Sequence, residues 1–141
     1  MNKKIMLNQC RLITAPKISD ERGALSFIEG DHHIPFAIKR IYYLYDMAES
    51  SIRGDHAHKK FQRFLLPIYG SFHILLDDGK EKINFLLDKP QEGIFVPAMI
   101  WSRLYDFSLG AVCLVLTDQL YHEGDYIRDY KKFLSLIDGE K

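Results

Sequence analysis

The sequence has no excess of charge of either sign: Lys plus Arg and Asp plus Glu each number 19, and the formal net charge is zero. Without a broad basic field, neither nucleic acid nor an anionic membrane is expected as a partner. Long apolar runs are also missing. Nowhere do about 18 apolar residues stand together, and Met1–Met6 has two lysines but no apolar stretch of signal-peptide length. The expectation is a soluble, cytoplasmic protein. Cysteine is scarce: Cys10 and Cys113 lie far apart without C-x-x-C spacing, and Cys113 sits in the apolar run 111–116. Buried thiols in a reducing compartment explain them better than a disulfide framework. Repeats and low-complexity segments are absent, and 141 residues suit a single domain, 1–141, with one core.

What the chain does contain is a series of short alternating or apolar runs: 9–14, 24–29, 37–46, 62–67, 70–77, 82–87, 93–96, 101–107 and 111–117. Runs spaced by about ten residues, with turn signals between them, predict a β-sandwich or barrel. Asp77-Asp78-Gly79-Lys80 reads as a hairpin turn, because glycine supplies the positive φ that tight hairpins need. Over 125–137, Tyr126, Tyr130, Phe133, Leu134 and Ile137 recur at helical spacing, with Gly139 just beyond. One short amphipathic helix packed on the barrel wall is therefore expected.

Chemistry concentrates in Arg53-Gly54-Asp55-His56-Ala57-His58. Side chains alternate along a strand, so His56 and His58 point one way and Ala57 the other. Two imidazoles on one face can take and give protons near neutral pH. The plainer reading is a pair of surface histidines in a basic loop before Lys59 and Lys60. The segment also resembles the first of the two cupin motifs, with Gln62 at the acidic position and Gly70 closing it. A second motif follows as Gly93-Ile94-Phe95-Val96-Pro97 and Trp101-Ser102, with Ser102 where metal cupins carry a third histidine. Two histidines, an amide and a hydroxyl are a poor ligand set, so neither a metal nor another cofactor is expected. Acid–base chemistry without metal, or plain sugar binding, remains.

Seven segments then carry a closer resemblance: 38–43 (IKRIYY), 53–60 (RGDHAHKK), Gly70-Ser71, 76–79 (LDDG), Val96-Pro97, 105–108 (YDFS) and 125–130 (DYIRDY). Together they resemble the nucleotide-sugar 3,4-ketoisomerases, small cupins that act on dTDP-4-keto-6-deoxyglucose, over residues 20–137. The resemblance implies an all-β jelly-roll barrel, a homodimer, no metal, and conversion of a 4-keto sugar to its 3-keto isomer on a route to 3-amino-3,6-dideoxyhexoses of surface glycans. One departure stands out. Relatives carry Trp-His-Glu where this chain reads Trp101-Ser102-Arg103, which removes a hydrogen-bonding or proton-relay partner.

In that setting His58 is the expected base at C3 and His56 the shuttle between the C3 and C4 oxygens. Tyr42 or Tyr43 would donate to the enediolate, and only one of them can face it. Arg53 would stabilise developing charge or orient a phosphate. Substrate contacts are expected from Arg22, Lys39, Arg40, Lys59 and Arg63, and from Trp101, Ser102, Arg103 and Tyr105 on the second-motif strand. For Trp101 core packing is an equal alternative. Residues 9–14 are expected to cross to the partner's sheet in the homodimer, the alternative being that they fold back on their own chain. Two other functions stay open: a 3,5-epimerase-like enzyme and a non-catalytic nucleotide-sugar-binding cupin.

Overall fold

Strand alternation decides the architecture. The computed structural model describes residues 7–139. Its strands are β1 (Arg11–Thr14), β2 (Lys17–Asp20), β3 (Gly23–Ser26), β4 (Arg40–Leu44), β5 (Arg53–His58) and β6 (Arg63–Tyr69). They continue as β7 (Phe72–Asp77), β8 (Lys82–Leu87), β9 (Glu92–Val96), β10 (Trp101–Tyr105), β11 (Val112–Thr117) and β12 (Tyr126–Ile127), and a helix, α1 (Tyr130–Asp138), follows. Two five-stranded sheets, β1-β9-β6-β11-β4 and β12-β5-β10-β7-β8, pack face to face, and β2–β3 forms a separate hairpin. This is the jelly-roll arrangement of two antiparallel sheets.

Inward-facing residues of both sheets make the core. Phe72, Ile74 and Leu76 of β7 and Leu104 of β10 meet Leu65 of β6, Ile94 and Val96 of β9, and Cys113 and Val115 of β11. Cys10 and Cys113 are both buried and unbridged, and burial pushes each thiol up to about 12. The hairpin turn forms as expected: Gly79 has a φ of 97°, and the Asp77 and Asp78 side chains accept the amides of Gly79, Lys80 and Glu81. No described helix is long and apolar enough to cross a membrane.

Two expectations are corrected. The helix begins at Tyr130 rather than 125, because Asp129 caps it by accepting the Lys131 amide. Upstream, Tyr126 and Ile127 are held as a strand against His58 and Ala57. Second, β3 ends at Ser26 rather than 29, and residues 17–20, outside the expected runs, form the strand that pairs with it. Within the single chain β1 pairs with β9, Arg11 opposite Phe95 through Thr14 opposite Glu92. That is the fold-back alternative to strand exchange.

Candidate active site

Burial rises along β5 from exposed Arg53 to buried Ala57 and His58. A kink organises the strand: Gly54 has a φ of 86° and Asp55 of 52°, opposite a bulge between Ser102 and Arg103. A Cβ at Gly54 would lie 2.9 Å from the Ser102 carbonyl oxygen, so only glycine fits. The kink turns Asp55 outward, where its Oδ1 meets Arg103 Nε at 2.7 Å, and leaves His56 facing inward opposite Ser102. His56 Nδ1 lies 3.0 Å from the Gly54 carbonyl oxygen. A carbonyl only accepts, so Nδ1 carries the proton and Nε2 is left as the basic nitrogen.

His58 lies deeper, 1% exposed, with its ring stacked on Phe61 and 4.9 Å from that of His56. Its Nδ1 stands 3.4 Å from Oδ2 of Asp125, which is also buried. Asp125 is fixed in turn by the amides of Lys60 and Phe61, at 2.8 and 3.2 Å. Tyr126 closes the group, its ring centroid 4.4 Å from His58 and 5.1 Å from His56. Burial, followed by the nearby Arg63, lowers His56 from 6.5 to about 4 and drives His58 further in the same direction. Both imidazoles are therefore neutral at pH 7.

Next to this pair is a cavity of about 190 Å³ lined by Tyr42, Leu44, Arg53, Gly54, His56, Arg63, Leu65, Ser102, Leu104, Val115, Tyr126 and Arg128. Of the expected residues the structure brings Tyr42, Arg53, His56, Arg63 and Ser102 to its wall. Arg40 stands beside it, its guanidinium 4.9 Å from the Tyr42 ring centroid and 5.5 Å from that of Phe61. His58 lies behind the wall rather than in it.

The remaining expected residues lie elsewhere. Tyr43 is 60% exposed and packs beside Tyr45, because its neighbour Tyr42 takes the inner face. Lys39 and Lys59 are exposed and line no part of the cavity. Arg22 pairs with Asp20 on the β2–β3 hairpin, its Nη2 2.6 Å from Oδ2. Trp101, Arg103 and Tyr105 do share one face of β10, but it is the outer one. Trp101 is core under α1, in edge contact with Tyr130 and packed on Phe133, and Tyr105 stacks on His73.

Sequence reasoning missed three site residues, Asp125, Tyr126 and Arg128. Their helical spacing with Tyr130 hid them, although the Asp129 capping position was a readable signal that the helix starts later.

The cupin metal positions do not assemble a ligand set. Gln62 is turned to Asp118, through its amide nitrogen at 2.9 Å and its backbone N–H at 2.8 Å, and Ser102 offers only a hydroxyl. Among the described residues, Glu29, His32 and His33 form one cluster spaced for a metal. There His33 Nδ1 already accepts the Glu29 amide, at 2.8 Å. That leaves its other nitrogen protonated, so the ring cannot ligate without breaking this bond.

Comparison with known proteins identifies the family. The family described as FdtA: WxcM-like, C-terminal matches residues 8–138. A TDP-4-oxo-6-deoxy-alpha-D-glucose-3,4-oxoisomerase from Aneurinibacillus thermoaerophilus is 42% identical over 134 residues, covering 93% of this chain and 96% of its own. The crystal structure of a 3,4-ketoisomerase from Helicobacter canadensis superposes with a TM-score of 0.89 at 39% identity, over 92% of this chain and 97% of that one. A histidine-to-asparagine mutant of the 3,4-ketoisomerase QdtA from Thermoanaerobacterium thermosaccharolyticum, in complex with TDP-4-keto-6-deoxyglucose, gives 0.92 at 36% identity, over 95% and 97%. With its inward histidine pair on a jelly-roll strand and these relatives across nearly its full length, this chain belongs to the FdtA, WxcM-like family of 3,4-ketoisomerases and is an isomerase.

Proposed function

We propose that the cavity binds TDP-4-keto-6-deoxyglucose and moves its keto group from C4 to C3 through an enediol, without a metal. The observation that carries this is His56 on the wall of a cationic cavity with His58 buried directly behind it, both held neutral. A neutral imidazole is the form that accepts a proton. The reaction requires removal of the proton on C3, transfer of a proton from the C3 oxygen to the C4 oxygen, and return of a proton to C4. His56, whose free Nε2 lines the cavity, is the base that takes the C3 proton and returns one to C4; His58, expected in that role, backs it from behind the wall with Asp125 beside its Nδ1. The proton leaving the C3 oxygen reaches the C4 oxygen through the Tyr42 hydroxyl, which gives its own proton to the second and takes that of the first. Tyr42 donates to the enediolate from the facing strand, and burial, which raises its pKa, keeps its proton in place. Arg53 and Arg128, at the exposed rim, face the diphosphate.

The 3-keto product suits transamination next, on a route to a 3-amino-3,6-dideoxyhexose of surface glycans. Buried, unbridged thiols fit the reducing cytoplasm. Incubation with TDP-4-keto-6-deoxyglucose in D₂O, followed by NMR, tests the assignment. Keto migration with label at C4 supports it. Exchange and inversion at C5 would indicate a 3,5-epimerase-like enzyme, and binding without turnover a nucleotide-sugar-binding cupin.

We also propose a homodimer whose exchanged segment is the β2–β3 hairpin rather than β1. Every residue of both hairpin strands is exposed, Ile18 and Leu25 by 62% and 58%. A lone two-stranded ribbon is marginal without a surface to cover it. Exposed Phe27, Ile41, Tyr43 and Tyr45 add further apolar surface on the same molecule.

A further inference from the structure

Three arginines and no carboxylate line the cavity. They are not equivalent. Arg53 is exposed, and Arg128 is exposed and paired with Glu123 at 3.0 Å. Arg63 is 3% exposed, and its Nε and Nη2 have no hydrogen-bond partner. The groups that act on it most strongly are Tyr42, Cys10, Tyr126 and Cys113, and none of them is a carboxylate. A guanidinium taken out of water without a counter-charge destabilises the fold, and a methionine of similar volume would not. Such a charge makes sense where an incoming anion completes it.

The substrate brings two kinds of negative charge. The diphosphate is present throughout and, attached at C1, extends to the rim, where Arg53 and Arg128 stand. The other arises only when the C3 proton leaves, and it sits on the oxygens between C3 and C4, beside the histidines and Tyr42. Arg63 shares the buried end of the cavity with His56, Tyr42 and Ser102. We infer that Arg63 is a catalytic residue whose fork donates to the enediolate oxygen, the role that the sequence alone left with Arg53. The inference rests on the proposed isomerase reading. A cation preorganised in a water-poor site, matched to charge that develops during the reaction, accelerates the step without tightening ground-state binding.

Arg63→Met and Arg63→Lys test this, once wild-type turnover of TDP-4-keto-6-deoxyglucose has been seen. A wild type without turnover would sink the isomerase reading itself. For Arg63→Met the expected result is a folded protein with a melting temperature at or above wild type and TDP affinity within about threefold. Its kcat and C3-proton exchange in D₂O should fall together by about 10²–10³-fold, the loss typical for one oxyanion donor. Arg63→Lys, which keeps the charge and loses the fork, should recover at least about tenfold of that. The inference is overturned if Arg63→Met melts lower or fails to fold, since the arginine is then structural. TDP affinity falling as far as turnover, turnover within threefold of wild type, or a lysine variant no better than methionine would each overturn it as well.

Discussion

Lowering the pH from 7 to 5 will destabilise the free protein through its two site histidines. In the folded chain His56 is lowered from 6.5 to about 4, chiefly by burial and then by Arg63, against the opposing bond to the Gly54 carbonyl. Burial, Arg63 and His56 drive His58 down as well. Once unfolded, both imidazoles titrate near ~6.5 and take up protons that the folded protein refuses. The unfolded state thus binds more protons, and stability falls as pH falls. It is complete above about 6.5, and the His56 share is lost progressively down to about 4. At pH 5 each such imidazole costs about 2 kcal/mol, so the pair costs about 4 kcal/mol. That is a large part of the roughly 5–15 kcal/mol that holds a domain together. Urea unfolding at pH 7, 6 and 5, followed by the fluorescence of buried Trp101, measures this, with a His56→Asn/His58→Asn double variant to remove the term. A wild-type loss below about 1 kcal/mol between pH 7 and 5, or a double variant that loses as much as wild type, would refute the argument. The same neutrality predicts that kcat/KM shows no acid limb near 6.5.

His56→Asn should abolish C3-proton exchange, costing about 10²–10⁴-fold in turnover with TDP binding retained, whereas His58→Asn, behind the wall, should keep exchange and slow turnover; near-normal turnover of the His56 variant would remove it as the base. Asp125→Ala strips the acceptor from the Lys60 and Phe61 amides and should lower urea-unfolding stability by about 2–5 kcal/mol. Asp125→Asn should fold yet lose at least about tenfold in kcat, because His58 loses its orienting carboxylate; an unchanged kcat would contradict that role. Extensive chelation should leave activity and melting temperature unchanged, and stoichiometric zinc, iron or manganese in untagged protein would contradict metal independence. Ile18→Glu with Leu25→Glu should shift sedimentation equilibrium from dimer to monomer; a variant that still dimerises as tightly excludes the hairpin as the interface.

How much of this was legible in the sequence depends on whether the deciding interaction is local. The inward pair His56 and His58 was legible because period two is a property of the strand itself, and so was the shared face of Trp101, Arg103 and Tyr105. Which side of the sheet that face would occupy was not. It depends on α1, whose Phe133 and Ile137 cover Trp101 and Ala57 from outside, a contact made across more than thirty positions of chain for Trp101 and more than seventy for Ala57. Burial of charge was equally hidden, for Arg53 and Arg63 look alike until β6 carries the second into the cavity. The segment 125–128 shows the same limit from the other side. Tyr126 and Tyr130 at i, i+4 read as a helix, yet the register of β12 puts Tyr126 opposite His58 and Ile127 opposite Ala57. Period two then explains the whole segment: Tyr126 and Arg128 reach the cavity while Ile127 joins the cluster beneath α1. Asp125, one step earlier, is held by the Lys60 and Phe61 amides close to His58 Nδ1. Four consecutive residues thus supply a buried carboxylate beside His58, the ring against both imidazoles, an apolar anchor and a rim cation, and their placement follows from the pairing of two residues on β5 rather than from any motif within the segment.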